Sequence, residues 1–220
     1  GAPFPMDVHR RWEEATGLKI YEGYGMTEIA PISINTESQG VQPGSAGKAV
    51  PDTTIEIVDL ETGDTVLPNG EAGEIRVKGP HMMTGYTCNA EETAITLRHG
   101  YVYTGDIGTL DDEGFLVITD RKKNVIFVNG FNVFPREVEE LLLTHPAVSG
   151  DCVVGREDAR KGEVPVAFVS LRSEVDAGEI AAFCTENLIA YKLPAEVKIM
   201  PEMPLTPAGK VDRIALQNSL

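Results

Sequence analysis

The chain has 220 residues, a formal net charge of −15 and 42% hydrophobic residues. This length suits one or two domains of roughly 100–200 residues each, and the hydrophobic fraction is sufficient for a folded core. The excess of acidic residues argues against general binding to nucleic acids or membrane surfaces, because both require a basic surface. No apolar run approaches the ~18 residues of a transmembrane helix, and the first residues do not resemble a signal peptide.

The three cysteines, Cys88, Cys152 and Cys184, are odd in number and far apart in the sequence. This usage predicts neither a disulfide framework nor a zinc site, and each cysteine is interpreted as an ordinary or buried thiol. A reducing, cytoplasmic location is therefore expected.

The acidity is uneven along the chain. Residues 1–119 carry 7 basic and 19 acidic side chains, whereas residues 120–220 carry 12 basic and 15 acidic side chains. The pattern of predicted elements also changes at Asp120. We therefore predict two domains, residues 1–119 and residues 120–220.

The first predicted domain is mainly β. Residues 5–16 are expected to form a helix ended by Gly17, with Met6, Trp12 and Ala15 on one face. A short strand at 19–21 and a tight loop at 22–25 are predicted next. From residue 54 to 119, alternating pairs such as Ile55/Ile57 and Ile75/Val77 and regular turn signals favour a small barrel or curled sheet, with a short helix at 90–97.

The second predicted domain mixes helices and strands. A strand at 124–128 and a turn at Asn129-Gly130 precede a helix that begins at Pro135, a residue favoured at the first helical position. Two strands, at 148–154 and 164–171, lead to a second helix with a cap resembling a capping box at Asp176. A strand at 197–200 and a short helix at 211–218 complete a compact α+β domain of about 100 residues.

Four segments are richer in glycine and polar residues than their turns require. Residues 24–28, Tyr-Gly-Met-Thr-Glu, could hold a phosphate oxygen and a magnesium ion, and Asp106 after Tyr-Thr-Gly could accept hydrogen bonds from vicinal ribose hydroxyls. The cations at 121–123 suit a phosphate ester or a salt-bridged hinge, and Lys210 in a Pro-Ala-Gly-Lys turn could stabilise charge in acyl or phosphoryl transfer. Taken alone, each segment is also compatible with an ordinary turn.

Together, the order and spacing of these segments, with Gly-Glu-Ile-Arg-Val-Lys-Gly at 73–79 and Gly85-Tyr86 between them, resemble the adenylate-forming enzymes. These are the acyl-CoA synthetases, adenylation domains and luciferases. The resemblance covers essentially all 220 residues, and residues 120–124 and 130–135 are most similar to fatty acyl-CoA ligases. The family's upstream phosphate-binding loop has no counterpart here. The resemblance therefore implies the C-terminal part of a synthetase, expected to be inactive alone: the end of an α/β domain with a distorted β-barrel subdomain, followed by a mobile α+β lid domain.

The resemblance also implies a two-step reaction with a carboxylic acid, ATP, magnesium and coenzyme A. Asp106, with Arg121 beside it, would bind the ribose hydroxyls of ATP or AMP, and Thr27 would meet the α-phosphate. Glu28 would bind Mg²⁺, and Lys210 would bridge the acyl carboxylate and the α-phosphate. The remaining nucleotide-binding residues implied are Gly1, Ala2, Pro3, Glu22, Gly23, Tyr24 and Gly25.

In the second step the lid domain of the family rotates about the position of Lys123. Gly130 would then line the tunnel for the pantetheine of coenzyme A, where a glycine permits close approach. Three alternatives remain: an aryl-acid CoA ligase, an adenylation domain that loads a carrier protein, and a non-catalytic interaction module. The segment at 130–135 argues against carrier loading, and the ordered ligand motifs argue against the interaction module. The aryl-acid alternative is harder to exclude.

Overall fold

The computed structural model describes residues 6–220, with side chains described from residue 8. The described residues form a mixed α+β structure, as predicted. The chain divides into two compact units, the first ending at Lys122 and the second spanning Lys123–Leu220. The boundary predicted from charge lies slightly earlier, at Asp120.

The first helix, α1, spans Met6–Thr16 and ends at Gly17, which has a φ of +69°. The predicted apolar face is wrong for Trp12 and Ala15, because both are exposed. The helix is instead buried through the side that carries His9, which is 2% exposed. Pro5, the predicted helix start, and the side chain of Met6 lie outside the described parts of the chain.

A three-stranded antiparallel sheet follows, formed by β1 (Gly23–Met26), β2 (Ile29–Ile34) and β3 (Lys48–Ala49). The sequence prediction is wrong here, since residues 19–21 form no strand and the predicted loop at 22–25 lies largely within β1. Hydrogen bonding to β2, whose Ile29 and Ile32 are fully buried, overrides the local preference of the glycine-rich segment for a loop. Met26 pairs with Ile29, so Thr27 and Glu28 form the hairpin turn.

The second sheet of the first unit has five strands. They are β4 (Thr54–Val58), β5 (Gly73–Lys78), β6 (Leu97–Arg98), β7 (Tyr101–Leu110) and β8 (Leu116–Arg121), with helix α2 (Ala90–Thr96) before β6. The strand order is β4-β5-β7-β6, and β8 also pairs with β7. Among residues 6–220 this sheet stays open, so the predicted barrel is not closed. The predicted alternation is confirmed, because Ile57 faces Ile75 across β4 and β5.

The two sheets of the first unit are joined through main-chain hydrogen bonds to Leu116. Ala46 N donates to Leu116 O at 2.7 Å, and Leu116 N donates to Gly47 O at 2.9 Å. Gly47 has a φ of +81°, and a Cβ atom there would lie 2.0 Å from the carbonyl carbon of Ile34. Only glycine fits this crossing, because both the backbone conformation and the space exclude a side chain.

The second unit is built on one sheet with helices on both faces. A 3₁₀ turn at Lys122–Asn124 leads into it. Its sheet has the order β10-β9-β12-β11, with β13 parallel to β12. The elements are β9 (Ile126–Val128), β10 (Phe131–Val133), α3 (Pro135–Thr144), β11 (Val148–Asp158), β12 (Gly162–Leu171), α4 (Ala177–Asn187), a 3₁₀ turn at Ala190–Lys192, β13 (Glu196–Met200) and α5 (Arg213–Gln217).

Successive side chains of β11 and β12 point to opposite faces of the sheet, so this unit has two hydrophobic clusters, one on each face. One face packs against α3 and α4 through Val138, Leu142 and Ile180, which are fully buried. The other face packs against Leu216 of α5. The predicted start of α3 at Pro135 is confirmed, and so is the predicted cap of α4, because Asp176 accepts a hydrogen bond from Glu179 N. All three cysteines are free, and no helix of residues 6–220 has the length and apolar character to span a bilayer.

Candidate functional site

Asp106 is the centre of a buried polar cluster in the first unit. The residue is only 6% exposed, and it lies opposite Arg121 in the pairing of β7 with β8. Arg121 Nε is 2.8 Å from Asp106 Oδ1, and the Tyr24 hydroxyl donates to Asp106 Oδ2 at 2.5 Å. The structure therefore brings together Tyr24, Asp106 and Arg121, three predicted site residues that are far apart in sequence.

A bulge in β7 directs Asp106 into this cluster. Arg76 and Glu74 of β5 pair with Tyr103 and Ile107, so β7 has extra residues between these two points. Bulges bend a strand and re-aim its side chains. Thr104 secures the irregular segment, since its hydroxyl donates to Ile75 O at 2.8 Å and accepts from Asp106 N at 3.1 Å.

The partners of Asp106 leave part of its carboxylate open to a ligand. Burial, followed by the negative charge of Asp106, raises the pKa of Tyr24 well above its usual value, so the phenol keeps its proton and acts as the donor. An ionised carboxylate has about four acceptor sites. Tyr24 and Arg121 use one site on each oxygen, so the arrangement can accept two further hydroxyl donors.

The turn at Thr27 and Glu28 is held by the segment that precedes α2. Met83 N donates to Glu28 O at 2.8 Å, and the Tyr86 hydroxyl donates to Glu28 Oε1 at 2.5 Å. The bond to Glu28 raises the pKa of Tyr86, which therefore remains a donor. Sequence reasoning gave Tyr86 no role, although Gly85-Tyr86 belongs to the motif set. Thr27 is exposed beside this contact.

The fit of Glu28 to a magnesium ion depends on oxygens from a nucleotide. No group of three or more His, Cys, Asp or Glu side chains in the described part of the chain could hold a metal by itself. Magnesium in nucleotide enzymes is commonly held by one or two carboxylates together with phosphates and water. A single carboxylate with one anchored oxygen fits that pattern.

The other predicted residues of the nucleotide loop have structural contacts in the first unit. Glu22 Oε1 accepts from Gly44 N at 3.2 Å. A Cβ atom at Gly23 would lie 3.1 Å from Ser33 O, and one at Gly25 would lie 3.2 Å from the Cβ of Ala30. Close packing of β1 on β2 thus favours glycine at both positions. Gly1, Ala2 and Pro3 lie outside the described residues.

The cations at 121–123 have different surroundings. Arg121 binds Asp106, and Lys122 Nζ lies 2.8 Å from Oε2 of Glu74, a residue that is 4% exposed. Both ion pairs anchor the end of β8 to buried carboxylates of the first unit. Lys123 is exposed in the 3₁₀ turn and is the first residue of the second unit.

Lys210 lies in a tight, exposed loop of the second unit. Leu205 and Val211 form an isolated bridge at the base of the loop, and Thr206 N donates to Lys210 O at 2.7 Å. Gly209, with a φ of +76°, allows the chain to reverse. Immediately after the loop, Asp212 caps α5 by accepting from Ala215 N at 3.0 Å.

Arg213 anchors the segment that carries Lys210. Its guanidinium lies 2.6 Å from Glu139 Oε1 and also donates to Val153 O. Asp151 lies near this pair, and its Oδ2 atom is buried without a hydrogen-bond partner among residues 6–220. Burial, followed by repulsion from Glu139, raises the pKa of Asp151 to about 8, with Arg213 acting in the opposite direction. At neutral pH Asp151 is therefore mostly protonated and competes little with Glu139 for the guanidinium of Arg213.

Gly130 completes a two-residue turn between β9 and β10. Val128 pairs with Phe131, and the turn residues Asn129 and Gly130 have φ values of +52° and +81°. These angles match the hairpin turn that favours Asn-Gly. A Cβ atom at Gly130 would meet no described heavy atom within 4 Å. Backbone conformation, rather than crowding by this chain, therefore accounts for the glycine.

Comparison with known proteins identifies the class. A model described as AMP-binding enzyme matches residues 1–87, and one described as AMP-binding enzyme C-terminal domain matches residues 137–210. The chain belongs to this family of adenylate-forming enzymes.

Curated relatives are acid–CoA ligases. Over 215 residues the chain is 42% identical to the long-chain-fatty-acid–CoA ligase of Bacillus subtilis (strain 168), an alignment that covers 96% of this chain and 38% of that protein. It is 41% identical to the 2-succinylbenzoate–CoA ligase of Geobacillus kaustophilus, covering 99% of this chain and 44% of the relative. The chain thus spans about two fifths of the length of these relatives.

Solved structures give the same family. The crystal structure of ATP-bound MatB from Rhodopseudomonas palustris superposes with a TM-score of 0.92 at 33% identity, covering 100% of this chain and 44% of that one. The o-succinylbenzoate CoA synthetase of Bacillus subtilis in complex with its acyl-adenylate superposes with a TM-score of 0.87 at 36% identity, covering 99% and 44%.

The raised pKa of Asp151 predicts a pH-dependent stability. Because the unfolded chain releases this proton near pH 4 while the folded chain retains it to about pH 8, the stabilisation is complete below pH 4 and is lost as the pH rises to 8. Asp151→Asn should therefore gain stability relative to the wild type between pH 5 and 8, by at most ~1.4 kcal/mol for each pH unit. Urea unfolding followed by circular dichroism measures the difference. Glu157→Gln, an exposed change on the same strand, is the control, and parallel pH profiles for Asp151→Asn and wild type would contradict the prediction.

Proposed function

We propose that these residues belong to an ATP-dependent acid–CoA ligase. The main supporting observation is the buried Asp106 carboxylate. It is held between the Tyr24 hydroxyl and the Arg121 guanidinium, and it has further acceptor sites for a ligand. Membership of the AMP-binding family supports the proposal, as does similarity to proteins solved with ATP and with an acyl-adenylate.

Formation of an acyl-adenylate overcomes the low reactivity of a carboxylate toward a thiol. Direct attack would require an oxide leaving group, whereas an acyl-adenylate releases AMP. In the first half-reaction a carboxylate oxygen attacks the α-phosphorus of ATP and pyrophosphate departs. In the second, the thiol of coenzyme A attacks the acyl carbon, the C–O bond to AMP breaks, and the thiol proton is lost to solvent.

Asp106 accepts hydrogen bonds from the two ribose hydroxyls in this proposal. Arg121 and Tyr24 fix the orientation of its carboxylate, so that little ordering remains when the nucleotide binds. Tyr24 and Gly25 flank the adenine in this proposal, with Glu22 and Gly23 at the entry to the segment. Gly1, Ala2 and Pro3 belong to the same proposed nucleotide-binding set. The hydrogen bonds from the ribose hydroxyls to the Asp106 carboxylate are charge-assisted. Such bonds are stronger than neutral ones and are strongest where water is excluded.

The turn between β1 and β2 faces the phosphates. The Thr27 hydroxyl donates to the α-phosphate, and Glu28 holds Mg²⁺. When bound, the ion neutralises the charge that develops on the departing pyrophosphate. Lys210 contacts the carboxylate and the α-phosphate in this proposal, where its positive charge stabilises the pentavalent transition state.

The thioester step uses a different turn of the second unit. In this proposal rotation about Lys123 separates the two steps: the Lys210 loop serves adenylation, and the turn at Gly130 serves the binding of coenzyme A. The chain divides into compact units at Lys123, which is consistent with a pivot there. Hinges need only a few residues that absorb a change in φ and ψ while both units stay packed.

A fatty acid is the proposed substrate, and an aromatic acid is the second candidate. The relative from Bacillus subtilis is named for long-chain fatty acids, whereas the relative from Geobacillus kaustophilus is named for 2-succinylbenzoate. ATP–pyrophosphate exchange by the complete protein that carries these residues, across a panel of aliphatic and aromatic acids, separates the two. The absence of exchange with every acid would overturn the ligase proposal.

Asp106→Ala should weaken ATP binding by ~10-fold or more, since hydrogen bonds to a charged group contribute about 1.5–3 kcal/mol each. It should also abolish the preference for ATP over 2′-deoxy-ATP. Equilibrium binding of both nucleotides to the complete protein measures this effect. The control is Asp112→Ala in the exposed turn of the same β7–β8 hairpin. If Asp106→Ala keeps the preference for ATP over 2′-deoxy-ATP, the proposed contact between Asp106 and the ribose is wrong.

Lys210→Ala should slow acyl-adenylate formation by ~10²-fold, the range for loss of one positioned charge at a transition state. Thioester formation from supplied acyl-adenylate should persist, because the second step does not use this loop. The two half-reactions are measured separately, with Lys198→Ala on β13 as the control. Equal losses in both steps would contradict the division of labour.

Lys123→Pro should slow thioester formation while adenylation persists. Proline fixes φ near −65°, a value typical of 3₁₀ turns such as that at Lys122–Asn124, and removes rotation about φ at the proposed pivot. The ratio of the two half-reaction rates is the measurement, with Lys123→Ala as the control. If Lys123→Pro lowers both rates in parallel, Lys123 is only part of a charged turn.

A further inference from the structure

Among residues 6–220, only Tyr86 forms a hydrogen bond with the carboxylate of Glu28. The hydroxyl donates to Glu28 Oε1 at 2.5 Å across 58 positions of sequence. Oε2 accepts no hydrogen bond from the described residues. The hydrogen bond therefore anchors one oxygen of the carboxylate and leaves the other available to a ligand.

The segment that carries Tyr86 is bound to the β1–β2 hairpin at more than one point. Met83 N donates to Glu28 O at 2.8 Å, and His81 Nε2 lies 2.7 Å from Pro31 O. The backbone of the hairpin turn is thus held independently of Tyr86. Removal of the hydroxyl should release the Glu28 side chain without releasing the turn.

Tyr86 itself is held rigidly by α2. Its main-chain N–H donates to the Thr93 hydroxyl at 2.9 Å, and that hydroxyl donates to Asn89 O at 2.7 Å. Gly85 has a φ of +148°, and a Cβ atom there would lie 2.9 Å from Cγ2 of Thr93. The chain therefore turns sharply just before Tyr86, and the phenol is set against the hairpin by the first turn of α2.

From this geometry we propose that Tyr86 is a positioning residue for the metal-binding carboxylate of Glu28. The inference rests on the proposed role of Glu28 in holding Mg²⁺. A free glutamate side chain samples many rotamers and loses that freedom when it binds an ion. The bond from Tyr86 to Oε1 restricts the rotamers in advance, so that Oε2 would be available to the ion. Mutation of a residue that hydrogen-bonds to a metal ligand typically lowers metal affinity or activity by about 10–100-fold.

The test measures how much Mg²⁺ strengthens nucleotide binding. The dissociation constant of ATP is determined for the complete protein, without the acid substrate, in Mg²⁺ and in a chelator. Tyr86→Phe keeps the ring and removes only the hydroxyl. We expect it to reduce the gain in affinity from Mg²⁺ by ~10-fold while leaving metal-free ATP binding unchanged.

Tyr21→Phe is the matched control. The Tyr21 hydroxyl also donates to a glutamate, Glu37 Oε1 at 2.7 Å, but at an exposed position away from the hairpin turn. This change should leave the effect of Mg²⁺ as in the wild type. A reduction equal to that of Tyr86→Phe would show that loss of any such hydroxyl perturbs the unit, and would overturn the inference.

Glu28→Gln and the double variant with Tyr86→Phe separate positioning from a structural effect. If Tyr86 acts through Glu28, the double variant should bind ATP as Glu28→Gln does, because the two changes remove the same interaction. Additive losses would overturn the positioning role. A normal Mg²⁺ effect in Glu28→Gln would overturn the metal assignment and the inference together. A lost effect in Glu28→Gln with a normal one in Tyr86→Phe would overturn the inference alone.

Discussion

The first unit is organised around the need to provide partners for the buried carboxylate of Asp106. Isolated buried charges are costly, so they are paired and hydrogen-bonded. Asp106 on β7 obtains its partners from β1 and β8, through Tyr24 and Arg121. The same interactions join the hairpin to the larger sheet and hold an acceptor in position for a ligand. Stability and the proposed nucleotide contact therefore depend on the same carboxylate.

A partly buried ion pair has the corresponding place in the other unit. Arg213 connects α5 with α3 and β11 through Glu139 and Val153 O. The residues after Lys210 thus have different tasks, because Asp212 and Arg213 hold the loop while Lys210 lies exposed in it. The burial that raises the pKa of Asp151 to about 8 weakens its competition with Glu139 for the guanidinium at neutral pH.

Both units carry their proposed ligand-binding side chains on short turns that neighbouring segments hold in place. Thr27 and Glu28 lie in a two-residue hairpin turn that Met83 and Tyr86 hold. Lys210 follows Gly209 in a loop closed by Thr206. Sites of this kind need precise placement of a few atoms, and a rigid support limits the ordering required when a ligand binds. The proposed functions of these turns depend on such preorganisation.

Local sequence patterns were sufficient for the elements with regular periodicity. The alternation at Ile55/Ile57 and Ile75/Val77 predicted β4 and β5, and Pro135 marked the start of α3. The ordered motifs predicted the family. Predictions failed where long-range pairing decides the structure: β1 formed where a loop was expected, and Trp12 was exposed.

The sequence by itself determined the family and the candidate residues, because those signals are local motifs in a fixed order. Only the tertiary structure decided which side chains meet. Tyr24 and Asp106 are 82 positions apart, Glu139 and Arg213 are 74 apart, and Glu28 and Tyr86 are 58 apart. Periodicity reports which face of an element is buried, but it carries no information on which distant side chain lies opposite. That information arises from strand register, the bulge in β7 and the packing of α2 and α5.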